Sequence, residues 1–532
     1  MIAPRYFSDV RTCYHVGEVI VTEDVPIESD RVVVWTARGD TYEASHDGTT
    51  WTVIDVPVGT HALVASSSAR EILAEEFFSV RESAGDDPVI GFVTSFDDAS
   101  RPSTLAWLKD LRCTVVQVYD WMEDYAYPLA PSRYYHDPLG RPIDRVALST
   151  LIKGLRTMGA VAQAYAPVLA ASDVFAADHP EWRLFRNDGA PESLGDLLQI
   201  MDPGSAGWQR HWVAHYGQAA DALGFNGFHL DTYGYPRAAL RNDGGNARVE
   251  DGYTSFVRAV RTARPHDVLS FNQVNGVPRG FSTPATPSFP YVEVWSPNEL
   301  WRHIEGLLAR SAGAQSGRGE VLALYPPVWS GERGEALRTC VLSEAVATML
   351  GSSVLMWGDD DGVLRHPYYV DHEHLSGSER EEALTWHRFA LRCRDLFSYG
   401  LDTSWYELSD ENAGVTVTSQ VPSHPEPISG SLFVRVRRDE DLVTVAVLDL
   451  TGSADGSWTA GTRAGRCATA DVTILVAPSG SWRGEIAVLG RDGGRFASEE
   501  PAWAPMREGI GLRWSLPLGR GWAILRLRRD AS

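Results

Sequence analysis

The stretch Gly224-Phe225-Asn226-Gly227-Phe228-His229-Leu230-Asp231-Thr232-Tyr233-Gly234 (GFNGFHLDTYG) carries an apolar run to an acidic residue and then breaks into a Tyr-Gly turn. A short strand ending on a carboxylate has three ordinary explanations. The carboxylate caps the next helix, ligates calcium, or performs chemistry at the mouth of a barrel. The pattern of the surrounding chain bears on the choice.

From Val89 the sequence repeats strand, loop, helix. Strand candidates are VIGFVTSF (89–96), TVVQVYDW (114–121), VAQAYAPV (161–168) and FNGFHLDTYG (225–234), followed by DVLSFNQVNG (267–276), YVEVWSP (291–297), EVLALYPPVW (320–329) and SVLMWGDD (353–360). Between and after them lie stretches with apolar residues at helical spacing, such as VALSTLIKGLRTMG and WQRHWVAHYGQAADALG. Near-continuous apolar strands are what a parallel sheet covered on both faces requires. Eight such units predict a (β/α)8 TIM barrel over residues 87–400, with a doubly wound open sheet as the alternative.

A chain of 532 residues exceeds what one hydrophobic core supports. The first part, 1–86, has short β-type runs such as RVVVWTARG and HALVASS and predicts a small β-sandwich, with SAGDDP (83–88) as linker. Residues 401–532 return to β patterning (LFVRVRR, LVTVAVLDL, WAILRLRR) and predict an all-β domain of Greek-key sandwich type.

The formal net charge of −22 argues against a nucleic-acid partner, because phosphates are repelled. No apolar run reaches membrane-span length, so no membrane partner is expected. The five cysteines are scattered and form no C-x-x-C, which speaks against a disulfide framework or zinc site. The start, MIAPRYFSDVRTCYHVGE, lacks a basic-then-apolar leader. The expectation is a cytoplasmic protein, or a secreted one if a leader was removed before this chain begins.

In a barrel the C-terminal strand ends carry the site. Strand two ends in Tyr119-Asp120-Trp121, strand three carries Tyr165, and strand four ends in Asp231-Thr232-Tyr233. Strand five offers Asn272, Gln273 and Asn275, strand six Glu293-Val294-Trp295, and strand eight Asp359-Asp360-Asp361. Aromatic faces stack on sugar rings, while carboxylates and amides bind hydroxyls, so the inventory suits a carbohydrate. Asp231 and Glu293 lie on strands with one strand between them. Side chains leaning inward bring such a pair to about 5–5.5 Å, the separation of a retaining glycosidase. One carboxylate then attacks the anomeric carbon, and the other protonates the leaving oxygen and later activates water. Asp231 also fits a helix N-cap, whereas a carboxylate between Val292 and Val294 is costly unless paired or functional. The Asp359-Asp360-Asp361 run also fits a solvated loop. Asp371-His372-Glu373-His374 lacks the H-E-x-x-H spacing, so neither metal nor cofactor is expected. There is no G-x-S-x-G elbow, no phosphate-binding P-loop and no dinucleotide fingerprint.

With these residues the sequence resembles glycoside hydrolase family 66, the dextranases and cycloisomaltooligosaccharide glucanotransferases. The likeness rests on Val118-Tyr119-Asp120-Trp121, Gly227-Phe228-His229-Leu230-Asp231, Phe271-Asn272-Gln273-Val274-Asn275-Gly276, Tyr291-Val292-Glu293-Val294-Trp295 and His366-Pro367-Tyr368-Tyr369. The resemblance implies an immunoglobulin-like N-terminal domain, a barrel and a C-terminal β-domain. It implies retaining cleavage of α-1,6-glucosidic bonds in dextran or isomaltooligosaccharides, with Asp231 as nucleophile and Glu293 as acid/base. Tyr119, Asp120, Asn272 and Trp295 would line the subsite of the attacked glucose, and strand position adds Trp121, Tyr165, Tyr233, Asp359 and Asp360 as substrate contacts. No inserted carbohydrate-binding module is evident in the catalytic region, which favours hydrolysis over cyclisation. The alternatives are a transglycosylase on the same α-glucans, a barrel glycosidase of another linkage, and a catalytically silent glycan-binding protein.

Overall fold

Strands with both faces covered form the centre of the molecule. The computed structural model describes residues 5–529 apart from 84, 196–197, 232–237, 278–286, 309–318, 367–370, 399–400, 410–413, 476–481 and 507–508. The central strands are β1 (Ile90–Val93), β2 (Val115–Val118), β3 (Val161–Pro167) and β4 (Gly227–Asp231), then β5 (Val268–Val274), β6 (Phe289–Glu293), β7 (Glu320–Ala323) and β8 (Ser352–Leu355). They pair parallel, each with the next, in chain order. These are the strands read from the sequence, and their burial on both sides is why uninterrupted apolar runs marked them.

The order does not end at β8. After Met356 the chain continues as Trp357–Gly358, and Gly358 pairs parallel with Phe92 of β1. Asp359 then donates its N–H to the Phe92 carbonyl at 2.9 Å. A Cβ on Gly358 would collide with that carbonyl, so glycine is what lets the two backbones meet. Trp357–Gly358 also starts an antiparallel extension through Gly362–Leu364 and His372–His374, which strand periodicity did not reveal.

Helices cover the outer face. They are α1 (Arg101–Asp110), α2 (Arg145–Thr157), α3 (Ala206–Leu223), α4 (Val249–Ala263), α5 (Trp301–Leu308), α6 (Arg333–Met349) and α7 (Gly377–Cys393). Local chemistry sets their ends. The Asp144 carboxylate caps α2 by accepting the Val146 N–H, and Ser376 with Glu379 forms a capping box on α7. Gly224, at φ 91°, ends α3 in the left-handed conformation that glycine adopts without strain. One face of α3 buries Trp208, Trp212, Tyr216, Ala219 and Leu223 at i, i+3 and i+4 spacing. Trp212 packs on Phe228 of β4 and Phe256 of α4 with ring centroids 5.7 and 5.1 Å away, which sets the strand that delivers Asp231.

Two sheets precede this core. A five-stranded sheet runs in the order Cys13–His15, Ile72–Arg81, Gly59–Ser66, Arg31–Thr36, Thr41–Glu43, and a three-stranded one joins Ile20–Thr22, Trp51–Val53 and Ser45–His46. They share an apolar core that includes Ile20, Val34, Val53, Leu63 and Phe78. After the core, a seven-stranded and a four-stranded sheet enclose Val434, Val445, Val472, Trp514 and Leu525.

Buried ion pairs join the N-terminal sheet to α7. Arg392 reaches Glu75 at 2.8 Å and Arg388 reaches Glu76 at 3.1 Å, while Arg495 from the C-terminal part reaches Glu75 at 3.3 Å. Breaking a buried pair strands a desolvated charge, whereas an exposed pair contributes little. Arg392→Met leaves Glu75 with Arg495 and should therefore lower unfolding stability by about 1.5–3 kcal/mol. Removing Arg31 from its exposed pair with Glu43 should cost no more than about 1 kcal/mol. Parallel urea titrations check the contrast; equal losses would contradict it.

Candidate active site

Asp231 is the last residue of β4, and Glu293 the last of β6. Between them β5 carries Asn272, whose side-chain amide faces both carboxyl groups. Its Nδ2 donates to Asp231 Oδ1 at 2.8 Å and to Glu293 Oε2 at 2.8 Å. Those two oxygens therefore lie no more than about 5.6 Å apart, short of the 6.5–9.5 Å of an inverting pair. Hydroxyls hold the outer flank of each carboxylate. Tyr165 of β3 donates to Asp231 Oδ2 at 2.9 Å, and Tyr325, just past β7, donates to Glu293 Oε1 at 2.7 Å. Five successive strands, β3 to β7 with the residues just past it, thus supply one continuous set of polar side chains. Among the described residues the next helix begins at Val249.

The electrostatics separate the two acids. Burial, then the neighbouring Asp231 charge, push the Glu293 carboxyl up to about 7, while donors from Asn272, Tyr325 and the Trp295 side chain pull it down. Near neutral pH Glu293 is therefore poised to give or take a proton. Burial drives the Tyr165 hydroxyl well above its ordinary range, and the Asp231 charge adds to that, so it stays a proton-bearing donor.

Asp120 stands beside this pair, at φ 48° immediately after Tyr119. Burial pushes its carboxyl up to about 6; Arg141 at 3.8 Å opposes that, and Asp137 and Asp231 add to it. Arg141 is itself held by Asp137 at 2.6 Å and by the Thr94 carbonyl at 2.9 Å. Trp295 is 37% exposed, giving the site an aromatic face open to solvent. Inside the sheet, His229 meets Gln117 at 3.0 Å and Ser270 at 2.9 Å. Burial holds its imidazole down to about 4, so it is a neutral member of the floor.

The structure thus brings together Asp231, Glu293, Asn272, Tyr165, Asp120 and Trp295 from the sequence reading. It corrects others. Trp121 is wholly buried between Tyr216 and Phe225 and donates its indole N–H to the Tyr165 carbonyl at 3.0 Å, so it supports the sheet. Tyr119 is equally buried, with its hydroxyl on Gln117 and its ring against Tyr165 and His229. Asp359 is buried, and its carboxylate accepts the Thr94 N–H and hydroxyl, which fixes the chain after β1. Asp360 offers its carbonyl to His374 at 2.7 Å. Tyr233 lies outside the described residues, as do Pro367, Tyr368 and Tyr369. Glu373 is paired with Arg333 and Arg365, and Asp371 with Arg365. Among the described residues no three His, Cys, Asp or Glu side chains converge as a metal-binding group. Sequence reading passed over Tyr325 and Arg141. The strand-end rule reaches Tyr325, two residues beyond β7, whereas Arg141 comes from a loop and carries no such signal.

Comparison with known proteins points the same way. Two curated relatives, both cycloisomaltooligosaccharide glucanotransferases of Niallia circulans, are 23% identical over 294 residues and 24% over 271. The matches cover 49% and 45% of this chain but only 30% and 28% of those proteins. A solved cycloisomaltooligosaccharide glucanotransferase from Paenibacillus sp., complexed with cycloisomaltoheptaose, superposes with a TM-score of 0.80 at 14% identity, covering 99% of this chain and 100% of that one. A maltogenic α-amylase from Thermotoga neapolitana gives a TM-score of 0.51 at 13% identity over 83% of this chain and 98% of its own. The sequence profile described as glycosyl hydrolase family 66 matches residues 64–474, a span that takes in every side chain of the Asp231–Glu293 site, and the chain belongs to that family.

Proposed function

We propose that the protein is a retaining glycosidase of α-1,6-linked glucans, dextran or isomaltooligosaccharides, acting through a glycosyl-enzyme on Asp231. The observation that carries this reading is the single Asn272 amide within 2.8 Å of both carboxyl groups, which fits the separation of a retaining pair. The linkage rests on the relatives, whose names carry cycloisomaltooligosaccharides. We read β1–β8 as a (β/α)8 barrel over about residues 87–400, supported by the Gly358–Phe92 pairing, with β-sandwich domains over 1–86 and 401–532.

In the first step the Asp231 carboxylate attacks C1 while Glu293 gives its proton to the departing glycosidic oxygen. In the second, Glu293 takes a proton from water as the water oxygen bonds C1 and the ester to Asp231 breaks. Asp120 and Trp295 hold the glucose, by hydroxyl contacts and by stacking. A sugar hydroxyl in place of water gives transfer. This second reading is favoured by the relatives being glucanotransferases, one of them matched along 100% of its chain.

Proton NMR of the enzyme with isomaltooligosaccharides should show α-anomeric products first, and Asp231→Asn should give none. β-anomers would overturn retention, and absence of turnover on every α-1,6-glucan would overturn the specificity. Glu293→Gln should lower kcat/KM by about 10²–10⁴-fold. Because the raised Glu293 carboxyl must be protonated in the first step, kcat/KM should fall as pH rises through about 7. A profile flat from pH 6 to 9 would remove Glu293 as the acid.

A further inference from the structure

Three donors surround the Glu293 carboxyl group, and they are not equivalent. The Asn272 amide nitrogen and the Trp295 indole nitrogen have hydrogens to give and no lone pair to receive one. The Tyr325 hydroxyl both donates and accepts. It sits 2.7 Å from Oε1 and is buried, while Oε2 faces the Asn272 N–H at 2.8 Å. Asn272 therefore stays a donor to Oε2 whichever oxygen carries the proton. The amide is fixed in that part, because it also holds Asp231 Oδ1, and its oxygen in that place would repel both carboxylates. A proton on Oε1 meets a hydroxyl, which turns about its C–O bond and presents a lone pair.

From this difference we infer that Tyr325 is a positioning residue whose hydroxyl accommodates a proton on Glu293 Oε1 and stabilises the carboxylate once that proton has left. The inference rests on the retaining reading of the site and adds to it a neighbour that follows Glu293 from acid to base. In the first step the proton leaves Oε1 for the glycosidic oxygen as the C1–O bond breaks and the Asp231–C1 bond forms. The Tyr325 hydroxyl then donates to Oε1, holding the anion. In the second step Oε1 takes the proton of the attacking water or sugar hydroxyl, C1 leaves Asp231, and the Tyr325 hydroxyl turns back. Among the described residues, the other groups facing this pair are Asp231 from β4, the Tyr165 hydroxyl from β3, neutral His229 from the floor, and Asp120 with Arg141 beyond Asp231. Trp295 follows Glu293 on its own strand. None of them offers Glu293 a hydroxyl.

The direct test is a carboxyl 13C NMR titration of the full chain labelled at glutamate, with the Glu293 signal identified by its loss in Glu293→Gln. Tyr325→Phe should raise the Glu293 midpoint by about one pH unit, and Tyr325→3,5-difluorotyrosine, a stronger donor of nearly the same shape, should lower it. An unchanged midpoint in both, or shifts of the same sign, would overturn the inference. This readout needs no turnover, so it is separable from failure of the proposed activity. Should Tyr325→Phe not fold, the fluorinated variant alone decides by the sign of its shift. With an isomaltooligosaccharide at pH 6, Tyr325→Phe should lower kcat and KM together by about tenfold as the glycosyl-enzyme accumulates, leaving kcat/KM within threefold. A fall in kcat/KM with no change in the pH profile would assign Tyr325 a merely structural part.

Discussion

Two acids share one amide nitrogen. Like charges placed this close in a buried site cannot both ionise freely, and the nitrogen of Asn272 is what makes their approach tolerable. Everything around the site follows from that constraint. A carboxylate left without donors would cost several kcal/mol to desolvate, so each is flanked by a tyrosine hydroxyl on its far side. The tyrosines must in turn be fixed. Tyr165 stacks against Tyr119 and His229, and its backbone carbonyl is held by Trp121. Residues that sequence reading assigned to the sugar therefore serve the groups that serve the acids.

The parallel sheet supplies the geometry. Asp231, Asn272 and Glu293 sit on three successive strands whose register is set far from the site, by packing of Trp212 on Phe228 and by close backbone approaches at glycines. A Cβ at Gly227, the first residue of β4, would strike the Val268 carbonyl of β5. The neighbouring strand would shift, and with it the spacing of the two carboxylates. Precision at the C-terminal ends is built at the N-terminal ends.

How much of this the sequence discloses depends on the kind of constraint. Strands buried on both faces leave continuous apolar runs, so β1–β8 were legible, and a carboxylate inside such a run, Glu293, stood out by its desolvation cost. The facing of side chains near a strand end was not legible. Asp120 at φ 48° breaks the alternation, so Trp121 packs with the cluster of Val116 and Val118, whereas Tyr119 stays in that of Val115. Asp359 sits in an acidic run that reads as solvent-facing, yet its partner Thr94 lies 265 residues earlier, a contact that the pairing of Gly358 with Phe92 of β1 brings about. Arg141 was hidden for the same reason, since its partners Asp120, Asp137 and Thr94 meet it through a loop.

In the proposed mechanism the acid and base roles of Glu293 make opposite demands, and the neighbour that resolves them is the proposed nucleophile, Asp231. While Asp231 is ionised, its charge adds to burial in holding the Glu293 proton on, as the first step needs. Once Asp231 carries the sugar as an ester, that charge is gone, while the donors of Asn272, Trp295 and Tyr325 stay and favour the carboxylate, as the second step needs. Burial alone would leave Glu293 protonated throughout, and donors alone would leave it ionised throughout. The proposed cycle requires both, with one removable charge between them, and a pair within reach of a single amide suits it better than the wider spacing that would admit a water.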